Sequence, residues 1–157
     1  MEEPRWLTDK QQRAWRKFAA VFTVLPAALD TQLQRDADLT HFGYWLLAML
    51  AEQREHALRM SDLATRSNAS LSRVSHVVAR LEERGWVRRE PSPEDRRGNI
   101  AVLTDAGHEK IVDAAPGHVE TVQSLVFDAL TEQQVGQLDE ICAAVLEQVD
   151  PHGRLGA

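Results

Sequence analysis

A chain of 157 residues with 43% hydrophobic side chains is long enough to bury a core without disulfide or metal staples, and its single cysteine, Cys142, excludes an internal disulfide framework and a cysteine-rich zinc module. No apolar run approaches the roughly 18 residues of a transmembrane span and no signal-peptide core follows Met1, so the expectation is a soluble, cytoplasmic protein with no membrane partner. The net charge of −6 argues against a polyanionic partner for the surface as a whole, yet residues 59–97 hold nine arginines against six acids, which concentrates any attraction for phosphate in one segment.

Thr8 and Gln11 form a Thr-x-x-Gln capping box, and Trp15, Phe18, Phe22, Leu25, Leu29 and Leu33 then recur every three or four residues, which predicts one long amphipathic helix. Pro26 lies inside it and is expected to kink or split it, because proline removes a backbone donor and clashes with the preceding turn. A second helix is predicted after Thr40, with Phe42, Trp45, Leu46, Met49 and Leu50 on its buried face, ending near Gln53. Ala57 to Met60 reads as a short strand. Ser61 is expected to cap a brief helix through Leu63 and Ala64 to about Asn68, and Ser70 to cap the next, which turns Leu71, Val74, Val77, Val78 and Leu81 inward and stops at Gly85.

Val87 to Glu90 and Ile100 to Leu103 flank a polar stretch rich in turn formers and read as a hairpin. A hairpin after two short helices joined by a tight turn is a winged helix-turn-helix. Thr104 should cap a helix running to about Leu130 and bent by Pro116 and Gly117. Thr131 and Gln134 repeat the capping box, and Val135, Leu138, Cys142, Val145 and Val149 follow at spacings of a coiled-coil seam.

The helix opened by Ser70 leaves Ser72, Arg73, Ser75, His76 and Arg80 free of core duty. Small hydroxyls permit close approach, arginine bonds guanine in bidentate fashion, and the helix N-terminus favours a phosphate, so these residues are candidate DNA contacts. Arg96 and Arg97 at the hairpin tip suit the negative potential of a narrow minor groove, while Asp95 is expected to fix the wing rather than touch DNA. The six histidines show no ligand spacing and no metal site is expected. Cys142, within an apolar seam, reads as a small inert hydrophobe. No nucleophile, base and orienter set is visible, so no enzyme is expected.

The run from Met60 to Gly107 resembles the MarR family of bacterial regulators. The matching pieces are Met60-Ser61-Asp62-Leu63-Ala64, Leu81-Glu82-Glu83-Arg84-Gly85-Trp86-Val87, and Asp95-Arg96-Arg97 followed by Leu103-Thr104-Asp105-Ala106-Gly107. The resemblance implies a mainly α protein with a small β-wing, in which residues 39–103 form the DNA-binding lobe, 8–38 and 104–149 the dimerisation helices, and 150–157 a flexible tail. It further implies a homodimer on an imperfectly palindromic double-stranded DNA operator, acting as a repressor that a small ligand or an oxidant releases. A reactive cysteine in the N-terminal helix, usual in the redox sensors of that family, has no counterpart here. Trp15, His41 and Trp45 fall on helices that border the cleft between lobes in such regulators and are candidates for a small aromatic or phenolic effector, with core packing as their alternative role. The other reading of the whole chain is a winged-helix protein-interaction module that does not read DNA.

Overall fold

The computed structural model describes residues 4–92 and 98–155. Within them the chain runs α1 (Asp9–Ala37), α2 (His41–Glu52), β1 (Ala57–Arg59), α3 (Met60–Arg66), α4 (Leu71–Glu83), β2 (Val87–Pro91), β3 (Asn99–Leu103), α5 (Asp105–Leu125), a 3-10 turn (Phe127–Ala129) and α6 (Glu132–Val149). The strands form one antiparallel sheet in the order β1-β3-β2, with Val87 opposite Leu103 at the base of the wing and Pro91 opposite Asn99 at the far end.

Both capping boxes form as the sequence predicts, Thr8 with Gln11 and Thr131 with Gln134, and Thr40, Ser70 and Thr104 each accept from a backbone N–H of the helix they open. Gly85 takes φ +73° directly after α4, the left-handed stop that a residue without Cβ adopts at least cost.

Four local expectations need correction. Pro26 does not split α1, which stays one helix of 29 residues; the proline is exposed, so the carbonyl it leaves unpaired can be satisfied by water. Ser61 is not the cap of α3: that helix begins two residues earlier than such a cap implies, after Arg59, whose side chain makes no capping bond. The strand β1 runs straight into the helix and leaves no room for a polar cap between them. Leu71 does not turn inward but is 52% exposed, because it sits at the tip of α4, ahead of the turn that Val74 and Val78 bury. Finally, α5 ends at Leu125 rather than near Leu130, and a 3-10 turn makes the remainder.

The core is a single cluster centred on Leu46, Leu47, Leu50, Leu63, Val74, Val78 and Val87, and it is shared with Leu33 and Ala37 of α1 and Ala114 of α5. The apolar stripe of α1 therefore divides. Its rear, Leu29 and Leu33, is buried, while Trp15 and Phe22 at its front remain more than half exposed. Helix α6 buries no residue within one chain: Val135 and Leu138 are half-buried, and Cys142, Val145 and Val149 lie open together with Ile141 and Leu146, which the seam spacing had not singled out. No helix among the described residues is long and apolar enough to cross a membrane.

Candidate nucleic-acid interface

Helix α4 inserts Val74, Val78 and Leu81 into the core, and the helical period then throws Ser72 and His76 to the opposite, exposed face. Ser70 Oγ accepts from Arg73 N at 3.2 Å, which holds the front of the helix while leaving its other N-terminal N–H groups available to a ligand. Ser75 is half-buried on the flank facing the wing, where it lines a cavity of about 260 Å³ with Arg59, Ser61, Arg89 and Asn99.

Arg73 leaves the helix on the other flank. Its guanidinium carbon stands 4.1 Å from the centroid of the Phe42 ring, a cation–π contact that fixes the arginine against α2 and gives Phe42 a second task besides packing. Arg80, two turns further back, is exposed and lines a cleft of about 460 Å³ with Val77, Arg84 and Trp86. The structure thus brings Ser70, Ser72, Arg73, Ser75, His76 and Arg80 to one side of the lobe, spread over three faces of a single helix. The expected roles of Asp95, Arg96 and Arg97 lie outside the described residues.

The rear of α4 is tied to its surroundings by residues the sequence reading did not select. Glu82 accepts from the backbone N of Arg89 at 3.0 Å and from its side-chain Nε at 2.9 Å, and these two bonds, the backbone one foremost, hold the Glu82 carboxyl below its usual pKa. Arg84 pairs with Asp38 at 2.5 Å and lies 5.4 Å from the Trp86 ring. Exposed pairs of this kind contribute little stability singly, about 0–1 kcal/mol. Their effect is to fix the angle between reading helix, wing and α1.

The candidate effector residues separate. Trp15 stands 6.5 Å from Phe18, which packs edge-on against Phe22, all on the front of α1. Trp45 packs on Phe42 at 6.4 Å. His41, whose backbone N donates to the Asp30 carboxylate at 2.7 Å, has its ring 5.7 Å from His118 of α5, and His118 in turn stands 4.6 Å from Tyr44. Partial burial pushes both histidines below their ordinary pKa, with Asp30 opposing this at His41 and His41 adding to it at His118. The Nδ1 of His118 and the Oε1 of Gln32 are buried without a protein partner. No group of three or more metal-ligating side chains occurs among the described residues.

Comparison with known proteins decides the family. The family model described as MarR family matches residues 39–98, from just before α2 to just before β3. Over 97% of this chain and 95% of the other, the fold superposes with a TM-score of 0.90 and 49% identity on the crystal structure of Sco3205, a MarR family transcriptional regulator from Streptomyces coelicolor, in complex with DNA. The chain belongs to the MarR family. A second MarR family regulator of that organism, AbsC, is 39% identical over 95% of this chain and all of its own, with a TM-score of 0.86. The transcriptional repressor MprA of Escherichia coli (strain K12) is 29% identical over 107 residues, which are 68% of this chain but 60% of the repressor. The chain spans less than two thirds of that curated relative.

Proposed function

We propose that this MarR family chain is a sequence-specific, double-stranded DNA-binding transcriptional repressor, that it acts in the cytoplasm as a homodimer on a pseudo-palindromic operator, and that it is not an enzyme. The observation that carries the reading is α4 itself. Its front, held by Ser70, offers Ser72 and His76 on an unobstructed face opposite the buried stripe, and its rear is braced against the wing by Glu82 and Arg89. This is the geometry in which the N-terminal residues of a recognition helix reach base edges in the major groove. Arg73 and Arg80 on the flank are placed to neutralise phosphates beside the groove, and Arg96 and Arg97 are assigned to the minor groove.

The dimer follows from area. Ile141, Val145, Leu146 and Val149 of α6 and Trp15, Val21 and Phe22 of α1 are each about two fifths or more exposed, a larger open apolar surface than a monomer ordinarily carries. A two-fold partner covers it, and the same axis sets the two reading helices about 34–36 Å apart, one turn of DNA. A small aromatic or phenolic effector is assigned to the α1–α2–α5 junction near His41, where the unpartnered atoms of Gln32 and His118 offer polar contacts.

Selection of bound duplexes from a random pool tests this. The expected result is an inverted repeat with half-sites one turn apart, bound with an affinity that falls steeply and linearly in log–log dependence on salt. Recovery of no enriched sequence would overturn the proposal in favour of a protein-interaction module.

A further inference from the structure

Leu71 occupies the first position of α4, and it is 52% exposed. Scattered apolar residues on a surface need no explanation; the surroundings of this one do. It lines the cavity between α3, α4 and the wing, where the neighbouring side chains of Arg59, Ser61, Ser75, Arg89 and Asn99 are hydroxyl, amide or guanidinium groups. Met60, the other apolar side chain there, is buried. A leucine is therefore held at the front of the reading helix, on its wing side, in a polar and cationic recess.

The floor of the major groove presents donors and acceptors at every base pair, and one apolar group, the 5-methyl of thymine. The serine and histidine side chains on the exposed face answer the polar features. Among the exposed front residues of α4, Leu71 alone has no polar atom to offer, and only the methyl gives its isobutyl group something to exclude from water. We infer that Leu71 reads the 5-methyl group of a thymine in each half-site of the operator. This rests on the DNA-reading function proposed above. It makes Leu71 a specificity-determining residue, with a preference for thymine over cytosine at that position that arises from apolar contact as well as from hydrogen bonding.

Removing one buried methyl group is worth roughly a three- to fivefold change in affinity, and a symmetric pair of half-sites compounds it to roughly tenfold or more. The experiment uses the full chain and the operator recovered by selection. Each symmetric pair of thymines is replaced in turn by deoxyuridine, which deletes the methyl and keeps the pairing edge, and affinities are read by fluorescence anisotropy for the wild type and for Leu71→Ala. The expected outcome is one symmetric thymine pair at which deoxyuridine weakens the wild type roughly tenfold, and at which Leu71→Ala binds the two duplexes equally. Each protein is compared with itself on two duplexes, so a general loss of affinity or stability in the variant cancels. If no thymine pair shows the effect in the wild type, or if the effect persists undiminished in Leu71→Ala, the inference is overturned while DNA reading stands. If selection recovers no operator, the functional reading itself has failed and the inference falls with it.

Discussion

Replacing Gly107 by alanine should strain the joint between the wing lobe and α5. A Cβ on Gly107 would stand 2.1 Å from the carbonyl oxygen of Trp86 and 2.7 Å from Cδ1 of Leu103. That carbonyl accepts from the Thr104 backbone N at 3.1 Å, and the Thr104 hydroxyl donates to the Gly85 carbonyl at 2.6 Å while accepting from Gly107 N at 3.0 Å. The first turn of α5 is thus pressed onto the α4–β2 connection, and a clash with backbone cannot be relieved by a rotamer change. Overpacking of this kind costs about 1–3 kcal/mol, and losing the Thr104–Trp86 hydrogen bond about 1 kcal/mol more. The better helix propensity of alanine returns roughly 1 kcal/mol. The net loss is about 1–3 kcal/mol, or roughly 3–9 °C in melting temperature for a chain of this size. Circular dichroism melts at one fixed protein concentration, so that dimer dissociation contributes equally, measure it. Gly85→Ala is the comparator: its φ of +73° is unfavourable for alanine but nothing lies within 4 Å of the added Cβ, so only backbone strain of about 1–2 kcal/mol applies. A Gly107→Ala protein as stable as the wild type would refute the steric argument.

Two further outcomes are expected. Leu138→Asp places a carboxylate in the seam of α6, where unpaired burial costs several kcal/mol; sedimentation should show monomer and operator affinity should collapse, whereas a dimer with full affinity would exclude α6 from the interface. The histidine pair predicts a pH dependence. A folded-state pKa held below the unfolded value of 6.5 for His41 and His118 means the unfolded chain binds more protons, so their contribution is present above that value and is lost as pH falls below it. Urea midpoints should drop between about pH 7 and pH 5, and His118→Gln should flatten that slope; an unchanged slope would show that the pair does not govern it.

What could be read from the sequence and what could not divide along the range of the interactions. The caps at Thr8, Thr40, Ser70, Thr104 and Thr131 and the stop at Gly85 depend on three or four neighbouring residues, so spacing was enough. The exposure of Leu71 was misread because the heptad-like spacing that buries Val74 and Val78 takes no account of where a helix emerges from the core. The stacking of Arg73 on Phe42, the bonds from Arg89 to Glu82 and the meeting of His41 with His118 join residues from different elements, and no periodicity signals them. Phe42 was read as core although its ring also supports a candidate DNA contact, and a buried aromatic has the same pattern whether or not a guanidinium lies on it. For α6 the spacing of Val135, Leu138, Cys142, Val145 and Val149 predicts an apolar seam, and the open stripe is broader, since Ile141 and Leu146 extend it.

The two ends of α4 are held in different ways, and this bears on how DNA could be released. At the rear, Glu82 is tied to β2, Arg84 to Asp38 behind α1, and the Gly85 carbonyl to Thr104 at the start of α5. At the front, Val74 is fully buried in the core, and the exposed side is held by the helix's own cap at Ser70 and the stacking of Arg73 on Phe42. The polar ties that orient the reading face thus gather at its rear, on elements that continue into the helices carrying the open apolar stripes. A helix of 13 residues is a lever of about 20 Å, so a tilt of about 10° at the anchored end carries the front roughly 3 Å. Hydrogen bonds to base edges are lost over less than that distance. If the chain reads DNA as proposed, a change in how α1 and α5 meet across a dimer that tilts α4 by this amount would break its contacts with base edges.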